Sequence, residues 1–307
     1  MPRSLRAVVV AAAAVLLIGN GCGGSSSSSP GGGRVVVEAT PAALRSAAQA
    51  TLAKGTSKVE LTIHMTIEGE ELSMSGEGAV DPANKRFHMT FDAKELFTKL
   101  AGPEGKAPEV AALIDEPFEV VLDGTVMYMR VPVIAAFAGS DADWFKIDLT
   151  AASEQVGNLL GEGGGAFGSD PSAFLQFLQG AGKVTEVGEE EVRGVSTTHF
   201  SGSYTLEDTL AALPDDQRDK VERAFKSLGL PGEAQTQEIP FDAWVDADGL
   251  IRRVRTQIDY ATFAPATAAG ELGSMSQTVE YFDFGEPVDI QLPADDEVQD
   301  LSELVGN

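Results

Sequence analysis

The 307-residue chain has one cysteine, Cys22, and three histidines, His64, His88 and His199. One cysteine excludes a disulfide within the chain, so the fold must be held by apolar burial. No HExxH and no paired-histidine spacing occurs, which leaves a transition-metal site unsupported. All three histidines fall in alternating strand patterns, and His64 and His88 lie opposite the apolar positions, where they read as solvated rather than as a general base. Basic residues are also scarce: 22 Lys and Arg stand against 47 Asp and Glu, a net charge of −25. Such a surface repels phosphates and excludes nucleic acid as a partner. It equally excludes attachment to anionic headgroups through a basic patch. Acids are so abundant that their number carries no signal for a glycosidase pair.

Two segments resemble catalytic or metal loops only in part. "GEGGGAFGSD", Gly161–Asp170, lacks the Lys-Ser/Thr ending of a phosphate loop, and no apolar strand leads into it. It reads as a loop, with Phe167 as a lid residue if it lies over an opening. Asp246, Asp248 and Gly249 echo a calcium loop without its distal Glu, and a hairpin turn accounts for them. The sequence therefore points to no catalytic residue, no metal and no cofactor, and to a non-enzymatic role.

A long apolar run is missing too. Ala7–Ile18 is unbroken for 12 residues, whereas a membrane-spanning helix needs about 20. Preceded by Arg3 and Arg6, it has the dimensions of a secretory signal. Gly19-Asn20-Gly21 are small residues suited to cleavage, and Cys22 follows at once. A cysteine directly after an export signal resembles the lipobox of bacterial lipoproteins, in which the thiol is acylated and the cysteine becomes the first residue. The match departs at Gly19, where the usual pattern has an aliphatic residue. Two acyl chains make a stable anchor, each buried methylene contributing about 0.8 kcal/mol. Residues 1–21 are thus read as a signal peptide and 22–34 as the lipidated cysteine with a flexible Ser/Gly tether. Residues 35–307 are read as one domain, exported and held at the outer face of the cytoplasmic membrane.

Within that domain, strands dominate. In "VELTIHMTIE", Val59, Leu61, Ile63, Met65 and Ile67 alternate with polar residues, as in a half-buried strand. "ELSMSGEGAV", "KRFHMTF", "PFEVVLDGTVMYMRV" and "WFKIDL" continue the pattern, with Asp123-Gly124 as a hairpin turn. Later come "KVTEVGEEEVRGVSTTHFSGSYT", turning near Arg193-Gly194, then "IPFDAWVDADGLIRRVRTQIDYATF" and "SMSQTVEYFDFG". Hairpin-joined strands imply antiparallel pairing. Helical patterns occur at Pro41–Lys54, at "DAKELFTKL" behind an Asp92/Glu95 capping box, at "PEVAALI", "TAASEQVGNLL" and "DPSAFLQFLQG", and at "TLEDTLAALP" and "DDQRDKVERAFKSLG". The tail after Pro293 reads as ending in a short helix.

The positive signal is apolar and adaptable. Met65, Met74, Met89, Met127 and Met129, with Phe174 and Phe177, fall on strands and helices, and Met suits surfaces that accept varied shapes. A curved sheet covered by short helices can leave a dry cavity fit for an acyl chain. Strand and helix faces nominate Ile63, Met65, Met89, Phe91, Met127, Met129, Leu159, Phe174, Phe177 and Leu178 as its lining.

"GVSTTHFSGSYTLEDTLAALP" (Gly194–Pro214), "PFDAWVDADGLIRRVRTQ" (Pro240–Gln257) and "YFDFGEPVDIQLPADDEVQDL" (Tyr281–Leu301) together resemble the LppX/LprG-type lipoproteins of the LolA-like lipoprotein-carrier superfamily. The resemblance runs from about Val35 to Leu301. It implies an α+β fold, a half-open antiparallel β-barrel whose concave face is covered by helices. It also implies a monomer that binds a lipid or lipoglycan and carries or presents it across the envelope. The same superfamily includes envelope-stress sensors acting through a protein partner, the alternative role.

Overall fold

The structure is a computed structural model, and it describes residues 39–67, 69–101, 108–132, 135, 142–148, 175, 178, 181–212, 236–259 and 272–300. Helix α1 (Pro41–Ala53) starts where Thr40 Oγ1 accepts the Ala43 amide at 3.2 Å and proline occupies the first turn. Strands β1 (Ser57–Ile67), β2 (Glu70–Asp81) and β3 (Arg86–Asp92) follow, then helices α2 (Lys94–Ala101) and α3 (Pro108–Ile114). Next come β4 (Phe118–Asp123), β5 (Val126–Arg130) and β6 (Trp144–Asp148). Strands β7 (Lys183–Val192) and β8 (Val195–Tyr204), helix α4 (Leu206–Ala212), strands β9 (Ile239–Asp246), β10 (Ile251–Asp259) and β11 (Leu272–Phe282), and a short β12 (Val298–Asp300) complete the order.

All twelve strands join one sheet, in the order β12-β6-β5-β4-β3-β2-β1-β11-β10-β9-β8-β7. It consists of two meanders, β1–β6 and β7–β11, stitched together where β1 pairs antiparallel with β11. The expected antiparallel pairing holds throughout except at one end. There β12 lies parallel to β6, Val298 opposite Trp144. The tail forms a 3₁₀ turn at Asp295–Glu297 and then this strand; its end, where the sequence suggests a short helix, lies outside the described residues. Strands β7 and β12 end the order without pairing to each other, so the sheet is curved and open among the described residues.

The hairpins turn where the sequence places them. Arg193 (φ 49°) and Gly194 (φ 78°) both take the left-handed region that a two-residue turn between twisted strands requires. Gly249, at φ 76°, closes the β9–β10 turn. Here Asp246 Oδ1 accepts the amides of Asp248 and Leu250 at 2.9 Å, and Oδ2 accepts Arg252 Nε at 2.6 Å. Every oxygen of this buried carboxylate is used inside the turn, which is what the calcium-like pattern amounts to.

One local expectation is corrected. Asp92 and Glu95 form no reciprocal capping box. Asp92 Oδ1 accepts the Lys94 amide at 3.1 Å, whereas Glu95 reaches sideways to β2 and accepts from the Ser73 amide at 3.2 Å and hydroxyl at 2.5 Å. The reason is topological. Strand β3 pairs with β2 only as far as Ser75, opposite Asp92, and α2 then runs beside the remaining β2 edge. Glu95, with Lys99 donating to the Glu71 carbonyl at 2.5 Å, satisfies the edge groups that β3 leaves. The Ser73 hydroxyl and then its amide hold the Glu95 carboxyl below its ordinary value, helped by Lys99.

Candidate functional site

Strand register decides which side chains share a face, because directly opposed residues in a ladder point the same way. Starting from β1, Ile63 opposes Met74 on β2 and Gln277 on β11, and Met65 opposes Leu72 and Met275. On β3, Phe91 and Met89 lie opposite Gly76 and Gly78. Met89 then opposes Val120 on β4, which opposes Met129 on β5, and Leu122 opposes Met127. All six methionines beyond Met1 therefore lie on one face of the sheet, although they come from five strands. Across β11 the face continues through Val279 and Tyr281 to Val254 and Ile258 of β10, Phe241 and Ala243 of β9, and Phe200 of β8. Against it pack Leu44, Ala47 and Ala48 of α1, Leu96 and Phe97 of α2, and Leu175 and Leu178.

The predicted lining distributes as follows. Ile63, Met89, Phe91, Met127 and Leu178 are buried in this cluster; Met65 and Met129 are half-buried against it. Leu159, Phe174 and Phe177 lie outside the described residues, as do Cys22, the tether and the 161–168 loop. Sequence reasoning missed Met275, Phe118, Gln277 and Thr256 on the same face. The alternation of "SMSQTVEYF" was enough to place Met275 and Gln277 with Val279 and Tyr281.

Two glycines let large side chains lie across the sheet. A Cβ built on Gly76 would sit 2.5 Å from a ring carbon of Phe91, and one on Gly78 would meet the His88 carbonyl and sit 2.7 Å from the Met89 sulfur. The Phe91 ring in turn stacks on Phe118, centroids 5.0 Å apart. The β2 sequence Gly76-Glu77-Gly78 is thus the floor on which β3 lays the Phe91 and Met89 side chains.

The opposite face is polar. Beside α2 it holds a groove of about 560 Å³ lined by Thr62, His64, Met74, Ser75, Lys94 and Thr98. His64 is exposed there, as expected, whereas His88 contacts Glu119 at 3.1 Å. His199 is enclosed. Its ring stacks on Trp244 at 4.3 Å, and its two nitrogens face Glu190 at 2.9 Å and Asp242 at 3.0 Å. Trp244 Nε1 donates to Glu190 Oε2 at 2.8 Å. That bond first, and His199 and Arg253 after it, keep the Glu190 carboxyl below its ordinary value against the opposing effect of desolvation.

From this cluster the β7–β8 hairpin reaches over the polar face. Arg193 at its tip donates from Nε to Glu280 of β11 at 2.7 Å, pairs through Nη2 with Glu60 of β1, and lies 4.0 Å above the Phe282 ring. Strands stand about 4.8 Å apart, so in a flat sheet that tip would be roughly 15–20 Å from β11 and β1. The contact requires the hairpin to arch, and the bulge between Glu186 and Gly188 supplies a bend. Glu60 and Glu280 are directly opposed like charges, and Arg193 bridges them while Arg253 also binds Glu280.

No protein-family model matches the chain. It is 27% identical over 286 residues to an uncharacterized 31.2 kDa protein of Streptomyces griseus encoded in the rplA–rplJ intergenic region, covering 88% of this chain and 82% of that one. A candidate lipoprotein of Streptomyces coelicolor is 25% identical over 274 residues, covering 86% and 76%. Among solved structures, the Mycobacterium tuberculosis lipoprotein LppX superposes with a TM-score of 0.43 and 14% identity, over 82% of this chain and all of that one. The name of the Streptomyces coelicolor relative agrees with the lipoprotein resemblance carried by the segments between Gly194 and Leu301.

Proposed function

We propose that this chain is an exported lipoprotein, anchored through Cys22, that shelters an acyl chain of a lipid or lipoglycan against the methionine-rich face of its sheet. It carries or presents that lipid across the cell envelope and acts as a monomer without catalysis. Residues 1–21 serve as the signal, 22–34 as the tether, and the remainder as the lipid-binding domain, a half-open barrel with helices over its concave face. Leu159, Phe174 and Phe177 complete the lining begun by Ile63, Met65, Met89, Phe91, Met127, Met129 and Leu178.

The observation that carries this reading is the placement of all six internal methionines on one apolar face. Methionine is unbranched and polarizable, so a face built from it repacks around occupants of different shape at little cost. The gain on offer is large. At about 0.8 kcal/mol per methylene, a chain of some sixteen carbons contributes on the order of 10 kcal/mol before ordering costs. The S. coelicolor relative and the position of Cys22 after an export signal support the anchor.

The test is native mass spectrometry of the mature domain purified without detergent, followed by extraction of bound material. Co-purified acyl lipid at near-stoichiometric occupancy is expected. An empty domain that also fails to take up a fluorescent acyl probe would overturn the lipid role. Separately, Cys22→Ser should abolish incorporation of labelled palmitate and release the protein from the membrane fraction.

A further inference from the structure

The apolar face carries a polar pair that nothing among the described residues satisfies. Thr256 on β10 and Gln277 on β11 are directly opposed, and both point to the core side. They are 4% and 6% exposed. Around them stand Ile63, Phe241, Val254, Ile258, Met275 and Val279, none with a polar side chain to offer. Of the other buried polar side chains, Thr51 donates to the Ala47 carbonyl and accepts the Ile251 amide, Thr197 donates to the Glu190 carbonyl, and Asp246 is saturated in its turn; Ser57, 5% exposed, sits at the outer end of β1, away from the middle of the face. Neither the Thr256 hydroxyl nor the Gln277 amide makes a side-chain hydrogen bond among the described residues. A buried amide left in that state is costly, and in native proteins such groups call for a specific explanation.

We infer that Gln277 and Thr256 form the polar anchor of the lipid site, donating from the Gln277 amide nitrogen and the Thr256 hydroxyl to the carbonyl oxygen of an esterified acyl chain. This rests on the lipid reading above and specifies it. An apolar pocket fixes the orientation of its ligand through a few well-placed polar groups, and these two are the pair the face provides near its centre, beside the β1–β11 seam. The chemistry selects a neutral carbonyl. No Lys or Arg paired in the ladders of β1, β9, β10 or β11 shares their face, and Arg252, at the β10 bulge, is already bound by Asp246, so a free carboxylate there would be buried without a counter-charge. The ligand is therefore an acyl ester, not a free fatty acid.

The experiment compares two pyrene-labelled probes of equal length, a fatty-acyl methyl ester and an alkane, with a pyrene fatty acid at neutral pH as the third. Binding is measured to the wild type and to Thr256→Val, Gln277→Met and the double variant, with thermal unfolding of each lipid-free protein. The wild type should prefer ester to alkane by about tenfold, the worth of one to two neutral hydrogen bonds, and ester to free acid by more. The double variant should bind alkane as the wild type does and lose the ester preference. Because Gln277→Met removes an unsatisfied group while keeping the volume, the lipid-free variant should melt at the same or a higher temperature. Equal ester and alkane binding by the wild type would overturn the anchor while leaving the lipid role intact. So would a marked fall in melting temperature for Gln277→Met, since it would show the amide engaged within the fold. Failure of the wild type to bind any probe would instead overturn the lipid role, and the anchor with it.

Discussion

Substituting alanine for Gly78 or Gly76 places one methyl group where β3 already lies, and the two sites differ in what must yield. At Gly78 the new Cβ meets the His88 carbonyl, which is fixed in the β2–β3 ladder, as well as the Met89 sulfur at 2.7 Å. At Gly76 the obstacle is the Phe91 ring at 2.5 Å and 2.9 Å, with the Thr90 carbonyl more distant at 3.1 Å. A thioether can swing away and a carbonyl in a ladder cannot, so Gly78→Ala is the more damaging change. Overpacking of this kind costs about 1–3 kcal/mol, reduced by the roughly 0.4–1 kcal/mol that alanine gains by restricting the unfolded chain. A net loss of about 2 kcal/mol for Gly78→Ala corresponds to about 4–8 °C in melting temperature for a domain of this size. Gly76→Ala should lose about half as much, by tilting Phe91 out of its stack on Phe118. Gly124→Ala is the control, because its φ of 65° is strained for alanine but nothing lies within 4 Å. Thermal and urea unfolding followed by circular dichroism would rank the three. Gly78→Ala melting at or above the control would refute the claim that β2 and β3 touch backbone to backbone here. The displaced Phe91 ring in Gly76→Ala should also intrude on the apolar face and weaken binding of an acyl probe.

Two further outcomes follow from the charged groups. The Glu190 carboxyl is held below its ordinary value of 4.5, so its contribution to stability is fully present above that pH and disappears as the pH falls through its lowered folded value; Glu190→Gln should flatten the loss of melting temperature below about pH 4.5. Asp246→Ala leaves Arg252 without its partner and two turn amides without an acceptor, and should cost about 3–5 kcal/mol by urea unfolding.

The strands were legible because period-two alternation is a local signal, and each ladder from β1 to β5 repeats it. Turn chemistry was legible for the same reason: Arg193-Gly194 and Asp248-Gly249 announce themselves within a few residues. The pairing of β1 with β11 was not, since nothing in "VELTIHMTI" specifies a partner more than 200 residues away. Nor was the parallel β12, whose Val298-Gln299-Asp300 has neither alternation nor length. The capping box failed because its residue types fit but the strand edge beside it competed for Glu95. At the site, methionine placement was readable strand by strand, yet the unity of the face required the register. Gln277 escaped notice because a glutamine between Ser276 and Thr278 looks like one more surface polar residue until its neighbours on the other strands are known.

The seam between the two meanders has a mechanical consequence. The segment entering from the N-terminal side passes through α1 directly into β1, which is flanked by β2 on one side and β11 on the other. Tension transmitted along this segment loads an interior strand lengthwise, and extracting it means shearing two ladders at once rather than peeling an edge one bond at a time. A protein tugged through its leading end would hold its centre while its outer strands remained free to flex.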